Sequence, residues 1–203
     1  MTAPTSPLPS VLLVGCGQMG GAMLEGWMAH GLKPSVVLDR HDRTLPAPHH
    51  LAATLDDVPA DFQPDVIILA VKPQKADPTL EALALRFPSA TLPSVMAGRT
   101  VQSLTDRYQH GNPQAHPVII RAMPNTPCAI GAGMSGLYAP PHATDTQKAQ
   151  CDALVHAVGM PLFHNPTKCF PDFYRCRPWS GFQNAVKQDA PQIGHFDADR
   201  LAP

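Results

Sequence analysis

Short apolar runs alternate along the chain with stretches whose apolar residues recur at helical spacing. The first run, residues 11–14, has no polar interruption, which is typical of a parallel strand covered on both faces. The predicted strands are residues 11–14, 35–39, 65–71, 92–96, 118–123 and, with bends, part of 129–137. The predicted helices are residues 18–30, 78–87, 144–158 and one that Thr100 or Ser103 caps and that reaches Tyr108. This alternation predicts an α/β fold: a Rossmann-like, doubly wound, mostly parallel sheet.

Local signals refine this prediction. Gly31 suits the C-terminal end of the first helix. Pro93 has no backbone N–H, so the strand at 92–96 is expected to be short or near an edge of the sheet. Residues 41–59 are rich in proline and histidine and are expected to form a loop with a short helical piece near 51–55. The expected inward-facing positions are Leu80, Leu83, Leu85 and Phe87 in the second helix, and Ala149, Leu154, Val155 and Val158 in the last.

The segment Gly15-Cys16-Gly17-Gln18-Met19-Gly20 places a G-x-G-x-x-G pattern between the first predicted strand and the first helix. The first glycine permits a sharp turn, the second lets the backbone approach a pyrophosphate, and the third lets helix and strand pack closely. The free N–H groups and the dipole of the helix N-terminus favour the negative charge of phosphates. The spacing and context predict a dinucleotide site, and a merely structural turn is the alternative.

An acidic residue, Asp39, ends the second predicted strand. An acid at this point typically binds the 2′-hydroxyl of the adenosine ribose, which favours NAD. Arg40 and Arg43 follow at once, and arginines there can bind a 2′-phosphate, which favours NADP. A solvated charged loop is the alternative, and the choice between NADH and NADPH stays open.

Ligands of doubly wound sheets bind beyond the carboxyl ends of the strands. The segment Ala70-Val71-Lys72-Pro73 follows the third predicted strand and is therefore expected to face the cofactor. For Lys72, a plain surface charge is the alternative. Two prolines, Pro124 and Pro127, bracket a stiff loop that can present Asn125.

Composition narrows the function classes. The formal net charge of −1 gives no electrostatic reason to expect nucleic acid or an anionic membrane as a partner. No apolar run approaches the ~18 residues of a membrane span, and no signal peptide is recognised, so the expected location is cytoplasmic. The five cysteines form no C-x-x-C pair and the ten histidines are scattered, so we expect reduced thiols and no metal site.

Three motifs, in this order, resemble those of the Δ1-pyrroline-5-carboxylate reductases. They are Gly15-Cys16-Gly17-Gln18-Met19-Gly20, Ala70-Val71-Lys72-Pro73-Gln74 and Arg121-Ala122-Met123-Pro124-Asn125-Thr126-Pro127. The third is the most specific of them. The resemblance covers roughly residues 10–162. It implies hydride transfer from NADPH or NADH to the cyclic imine of 1-pyrroline-5-carboxylate, a small molecule, giving L-proline.

The same resemblance implies roles for single residues. It assigns the glycine loop to the pyrophosphate, Arg40 to the neighbourhood of the 2′-phosphate, and residues 70–73 to the lining of the cofactor site. Met96-Ala97-Gly98 occupies the family's Ala-Ala-Gly turn near the nicotinamide, with Met96 in place of the first alanine. Asn125 belongs at the edge of the active site. The sequence points to no side chain as a catalytic acid.

Residues 163–203 do not continue the family pattern. The family has there a helical C-terminal domain that forms the dimer and most of the substrate pocket, and it opens with Ser-Gly-Ser-Gly-Pro-Ala-(Tyr/Phe). This signature is absent here, so the family's homo-oligomer would lack its helices. We interpret residues 1–162 as an NAD(P)-binding Rossmann domain and residues 163–203 as an unassigned tail, read out of frame. An intact divergent tail and another kind of truncation are the alternatives.

Two further functional hypotheses remain beside the reductase. The unusual tail favours a non-catalytic dinucleotide-binding remnant. The glycine loop alone also suits another Rossmann oxidoreductase, of the β-hydroxyacid dehydrogenase or F420-reductase type. The Met-Pro-Asn-Thr-Pro loop at residues 123–127 argues against this last class.

The out-of-frame hypothesis predicts a specific DNA sequence. The segment Trp179-Ser180-Gly181-Phe182 is encoded by TGG TCN GGN TTY. Read one base later, with C as the third base of the serine and glycine codons, it gives Gly-Pro-Ala and then Phe or Ser, because the codon of Gln183 begins with C. We expect resequencing of the gene to reveal a helical domain in that frame. A confirmed frame with no such sequence in either of the other two would exclude the hypothesis.

Overall fold

The computed structural model of the protein describes residues 7–163. The strands are β1 Val11–Val14, β2 Val36–Leu38, β3 His50–Ala52, β4 Val66–Leu69, β5 Thr91–Ser94, β6 Val118–Met123, β7 Gly133–Tyr138 and β8 Gly159–Phe163. The α-helices are α1 Gln18–Ala29, α2 Ala76–Arg86, α3 Val101–Gly111 and α4 Asp145–His156. Short 3₁₀ helices are Leu55–Asp57, Pro73–Lys75 and Thr126–Ile130. Residues 164–203, most of the tail discussed above, lie outside the described residues.

The strands form one sheet in the order β3-β2-β1-β4-β5-β6-β7-β8. Strands β1 to β6 are mutually parallel, β7 is antiparallel to β6, and β8 is parallel to β7. The chain builds the sheet outward from β1 in one direction and then returns to continue from β4 in the other. The predicted Rossmann-like, mostly parallel sheet is therefore confirmed, with its change of direction between β1 and β4.

Hydrophobic cores cover both faces of the sheet, which explains the uninterrupted apolar runs. In β1, Leu12 and Val14 point into the core under α2 and α3, whereas Val11 and Leu13 point into the core under α1 and α4. Successive side chains of a strand alternate between faces, so a strand buried on both sides has no polar position. The bounds of β1 agree with the predicted 11–14 because its run is of this kind, and those of β6 agree with the predicted 118–123 although Arg121 interrupts its apolar run.

Helices α1 and α4 contact each other on one face of the sheet. The indole Nε1 of Trp27 donates a 2.7 Å hydrogen bond to the carbonyl oxygen of Leu154. That oxygen is available because the N–H of Val158 bonds to Val155 instead, at 3.0 Å, as α4 ends. A Cβ on Gly26 would lie 2.4 Å from Val158 Cγ1, so only glycine allows this approach.

The strand around Pro93 is short, which is one of the two predicted outcomes, and it does not lie near an edge of the sheet. Strand β5 lies inside the sheet, between β4 and β6. The N–H of Val95 bonds to Leu69 of β4, while the N–H of Val118 in β6 bonds to Ala90. The backbone N–H and C=O groups of odd-numbered residues in β5 therefore point toward β4. The pairing of β5 with β4 consists of a single residue pair, Leu69 and Ser94. Pro93 is tolerated because its missing N–H points to the side on which the ladder is short.

Four other details differ from the sequence-based expectations. Residues 50–52 form a strand rather than part of a loop, because their backbone pairs with β2. Only Ala52 of this strand is buried, and the 3₁₀ helix follows it. Leu85 is 70% exposed, since α2 packs through its i, i+3, i+4 neighbours Leu80, Leu83 and Ala84. Ala149 is likewise exposed, and Cys151 takes the buried position. Strand β8 follows α4 and was not predicted.

Gly111 gives a stability test of the contact between α2 and α3. Its Cβ would lie 2.5 Å from both Cα and O of Glu81, a backbone that cannot move aside cheaply. We expect Gly111→Ala to lower the free energy of unfolding by about 1–3 kcal/mol, measured by urea denaturation. The control is Gly136→Ala in β7, where a Cβ meets nothing within 4 Å. Equal stability of the two variants would contradict this packing.

Candidate functional site

The predicted site segments meet at one edge of the sheet. The glycine loop follows β1, Asp39 follows β2, residues 70–73 follow β4, residues 96–98 follow β5, and Asn125 follows β6. These five strands are neighbours and parallel, so their carboxyl ends share an edge. The sheet changes direction between β1 and β4, which is where open α/β sheets form their binding crevice. We call this edge the carboxyl edge.

The glycine loop is packed against the end of β4. Gly15 has φ of +88°, and a Cβ there would lie 2.8 Å from Val71 Cγ1. A Cβ on Gly20 would lie 2.5 Å from the carbonyl oxygen of Gly15 and 3.3 Å from Ala70 Cβ. A Cβ on Gly17 would meet nothing within 4 Å. The first and third glycines are therefore required by packing, while the second faces open space that a ligand can enter.

Helix α1 begins in this loop with its amide groups available. Gly17 is the N-cap and provides no side-chain hydrogen bond, and the first turn contains no acidic residue. Gln18 is exposed and Met19 half-buried. The N-terminus of α1 therefore presents N–H groups and a partial positive charge beside the open space at Gly17.

Two charged side chains hold the backbone of Cys16. Oδ2 of Asp39 accepts from the N–H of Cys16 at 2.5 Å, and Nη2 of Arg43 donates to the Cys16 carbonyl oxygen at 2.9 Å. The other Asp39 oxygen, Oδ1, accepts from the N–H and from Nδ1 of His41, at 2.9 and 2.8 Å. Asp39 and Arg43 thus fix the glycine loop to the segment after β2. We call this arrangement the Cys16 clamp.

The hydrogen bonds that Asp39 accepts favour its ionised form. Burial by itself raises the pKa of this carboxyl group, but hydrogen bonds from the amides of His41 and Cys16 and from the His41 ring outweigh burial, so the pKa lies below its ordinary value. The ionised side chain is only 11% exposed. Both of its oxygens already accept hydrogen bonds from the protein, whereas Arg40 beside it is exposed. Its predicted contact with a ribose stays a prediction.

The segment after β4 has a structural and an exposed part. Ala70 and Val71 are half-buried against the glycine loop. Lys72 is exposed and is the N-cap of the 3₁₀ helix Pro73–Lys75, in which Pro73 takes the first position. Lys72 therefore lies at the carboxyl edge with its side chain in solvent. This position fits both a residue that faces the cofactor and a plain surface charge.

The turn after β5 is held by an arginine to which the sequence analysis assigned no role. Met96 is buried, while Ala97 and Gly98 are exposed and Gly98 has φ of +73°. Nη2 of Arg121 donates to the carbonyl oxygen of Met96. The signal was present in the sequence, because Arg121 is a charged residue inside the apolar run of β6.

The loop after β6 uses its amide side chain internally. Oδ1 of Asn125 accepts from the N–H of Met134 in β7 at 2.8 Å, which joins the loop to the antiparallel strand.

The thiols of Cys16, Cys128 and Cys151 are buried. Burial raises the pKa of Cys16 and of Cys128, and it raises the pKa of Cys151 to about 12. These three thiols are therefore protonated at neutral pH.

Residues 7–163 lack two features that would indicate a metal ion or a membrane. No group of three or more His, Cys, Asp or Glu side chains is placed to bind a metal ion there. No helix of that part of the chain is long and apolar enough to span a bilayer.

Known proteins resemble this chain in sequence. The family model described as "NADP oxidoreductase coenzyme F420-dependent" matches residues 10–98. The pyrroline-5-carboxylate reductase of Vibrio alginolyticus is 33% identical over 155 residues, which cover 73% of this chain and 55% of that protein. The enzyme of the same name from Synechocystis sp. is 41% identical over 95 residues, covering 47% and 33% respectively. Several further curated relatives have the same name.

The chain carries the N-terminal domain of the pyrroline-5-carboxylate reductase family. The resemblance drawn from three motifs is thereby confirmed. The chain spans about half the length of the curated relatives that it matches over most of its own length.

Solved structures agree on the fold of this reductase domain. The pyrroline carboxylate reductase of Plasmodium falciparum, solved with NADP bound, superposes with a TM-score of 0.68 at 21% identity, covering 89% of this chain and 65% of that one. The pyrroline-5-carboxylate reductase of Coxiella burnetii gives a TM-score of 0.68 at 23% identity, covering 91% and 71%.

The Cys16 clamp of this reductase domain predicts a pH-dependent stability. The pKa of Asp39 is lowered on folding, so its contribution is complete above the unfolded value of about 4 and is lost as pH falls through the folded value. We expect Asp39→Asn to lower the free energy of unfolding at pH 7 by about 1–3 kcal/mol. The difference from the unmodified protein should shrink below pH 4, measured by thermal unfolding.

The matched control is Asp61→Asn, which changes an exposed carboxylate distant in sequence from the clamp. This variant should match the unmodified protein within about 0.5 kcal/mol. A loss of stability in Asp39→Asn that is as large at pH 3 as at pH 7 would argue against an ionic role of Asp39.

Proposed function

We propose that the chain binds NADPH or NADH at the carboxyl edge and belongs to an enzyme that reduces 1-pyrroline-5-carboxylate to L-proline. The observation that carries this proposal is the glycine loop, which is tightly packed at Gly15 and Gly20 and open at Gly17. A loop that only turned the chain would not need glycine at an unobstructed position with φ of −71°. The names of the relatives support the choice of substrate.

The geometry fits a dinucleotide with its pyrophosphate at Gly17. The N-terminus of α1 offers N–H groups there, and no acidic side chain of its first turn opposes a phosphate. The Cys16 clamp keeps the loop in place before the ligand arrives, which lowers the entropic cost of binding. Adenosine then extends toward β2, as in other doubly wound dinucleotide sites, and the nicotinamide extends toward β4 and β5.

We propose a preference for NADPH. Both oxygens of Asp39 accept hydrogen bonds from the protein, so this acid is poorly placed to select a ribose hydroxyl. Arg40 is exposed directly after β2 and offers a fork of donors that matches a phosphate. Arg43 adds positive charge nearby while it holds the glycine loop. A 2′-phosphate would therefore meet two guanidinium groups at this position.

In the proposed reaction, the reduced nicotinamide supplies a hydride to the imine carbon, and the ring nitrogen gains one proton. The residues of this chain bind and orient the dinucleotide. Ala97 and Gly98 are small and exposed, so a ring can approach the turn after β5 closely. Asn125 borders the same edge. We assign the proton to no side chain among residues 7–163. The cytoplasmic location and the oligomeric state stay predictions.

A titration of the full chain with NADPH and NADH tests the proposal. We expect NADPH to bind at least about tenfold more tightly than NADH because of Arg40 and Arg43. Gly17→Ala should fold normally, since its Cβ meets no protein atom, and should weaken both ligands at least about tenfold by occupying the space of the pyrophosphate. Isothermal titration calorimetry measures both effects.

The control Gly136→Ala adds a methyl group at an equally open position on β7 and should bind like the unmodified chain. Absence of dinucleotide binding by the unmodified chain would overturn the proposal. Binding without turnover of 1-pyrroline-5-carboxylate would select the alternative function, a dinucleotide-binding domain that does not itself catalyse the reduction.

A further inference from the structure

Arg121 is a charged residue in the middle of the sheet with 1% of its surface exposed. It lies on β6, directly opposite Ser94 of β5 in the parallel register. Its side chain shares a face of the sheet with Ile119 and points toward the buried Met96. Removing a guanidinium group from water is costly unless its donors find well-placed acceptors. The acceptors that it uses therefore indicate why the charge lies there.

Arg121 and Ser94 together hold the backbone of Met96. Nη1 of Arg121 donates to Oγ of Ser94 at 2.7 Å, and Nη2 donates to the carbonyl oxygen of Met96. Oγ of Ser94 also accepts from the N–H of Met96 at 3.4 Å. Both polar groups of the Met96 backbone are thus held by buried side chains. We call this arrangement the Met96 clamp.

The Met96 clamp fixes one end of an exposed turn. Ala97 and Gly98 follow Met96, and Gly98 has a left-handed φ of +73°. At the other end of the turn, Nη1 of Arg99 donates to Oδ1 of Asp77 in α2 at 2.7 Å. Thr100 then caps α3 by accepting from the N–H of Ser103 at 3.1 Å. Only small residues of the turn face solvent, so its position depends on these anchors.

The turn lies on the nicotinamide side of the proposed dinucleotide. Strand β5 is two strands from β1, or about 10 Å. The adenosine side lies in the other direction, toward β2, and is held by the Cys16 clamp through Asp39 and Arg43. The two clamps share no residue. Each therefore acts on a different half of the ligand.

We propose that Arg121 is a positioning residue for the nicotinamide half of the cofactor, acting through the turn at Met96, Ala97 and Gly98. This proposal rests on the proposed function, since it needs a bound dinucleotide. The free-energy cost of burying Arg121 is then explained by its role in holding this turn in place. Loss of the clamp lets the turn move, so the nicotinamide loses contacts while the adenosine half keeps them.

The test compares a whole ligand with a half ligand. The probes are NADPH and adenosine 2′,5′-bisphosphate, which lacks the nicotinamide, titrated calorimetrically into the full chain. We expect Arg121→Met to weaken NADPH about tenfold and to change the affinity for the bisphosphate less than about twofold. The ratio of the two affinities separates positioning from a general loss of stability.

Arg86→Met is the matched control. Arg86 also donates to backbone, namely the carbonyl oxygens of Leu55, Val58 and Pro59 at 2.7, 2.9 and 2.6 Å, but these residues precede β4. Its replacement should lower the melting temperature and leave the ratio of affinities unchanged. Ser94→Ala is the milder variant of the clamp, and it should reduce NADPH affinity about threefold with no effect on the bisphosphate.

Hydrogen exchange adds a readout that needs no ligand. In Arg121→Met and Ser94→Ala, the amides of Met96, Ala97 and Gly98 should exchange faster, while those of the glycine loop should not change. If Arg121→Met does not fold, Ser94→Ala decides by the same two measurements. Equal weakening of both probes, or unchanged binding of both, overturns the positioning role. Failure of the unmodified chain to bind either probe overturns the proposed function and this inference with it.

Discussion

The close approach of the loop after β1 to the end of β4 is the constraint on which the rest of the domain depends. Gly15 and Gly20 leave no room for a Cβ between the loop, helix α1 and residues 70–71. This contact sets the distance of α1 from the sheet and so positions one of the two hydrophobic cores. It also creates the edge at which every predicted site segment ends. A single larger residue there would displace helix, core and site together.

Polar side chains then fix the positions of the loops, which the packing of the glycines alone does not determine. At the carboxyl edge, Cys16 and Met96 each have both backbone polar groups held by side chains. In a low-dielectric interior such hydrogen bonds are strong, and an unmade one is costly. The two loops therefore have a defined geometry before any ligand binds. The sheet forms the carboxyl edge, and buried polar groups fix the positions of the loops along it.

The sequence predicted what depends on neighbours along the chain. The bounds of β1 follow from an uninterrupted apolar run, and the end of α1 just before Gly31 follows from the ease with which glycine adopts a φ of +79°. It did not predict that Pro93 lies in an interior strand, because the direction of a missing N–H depends on sheet register. The contacts of Asp39 with Cys16 and of Arg121 with Ser94 and Met96 were missed for the same reason, since they join residues 23 to 27 positions apart.

The hydrogen bond from Trp27 to Leu154 has a consequence for how the domain is made. It joins residues separated by 127 positions. Helix α4, which covers part of the buried face of α1, is therefore synthesised long after α1 itself. At translation rates of about 5–20 residues per second, that surface stays uncovered for roughly 6–25 s on the ribosome. The domain therefore completes its core only when the chain has emerged past α4, and an interruption of synthesis before that point leaves an apolar helix face available to chaperones.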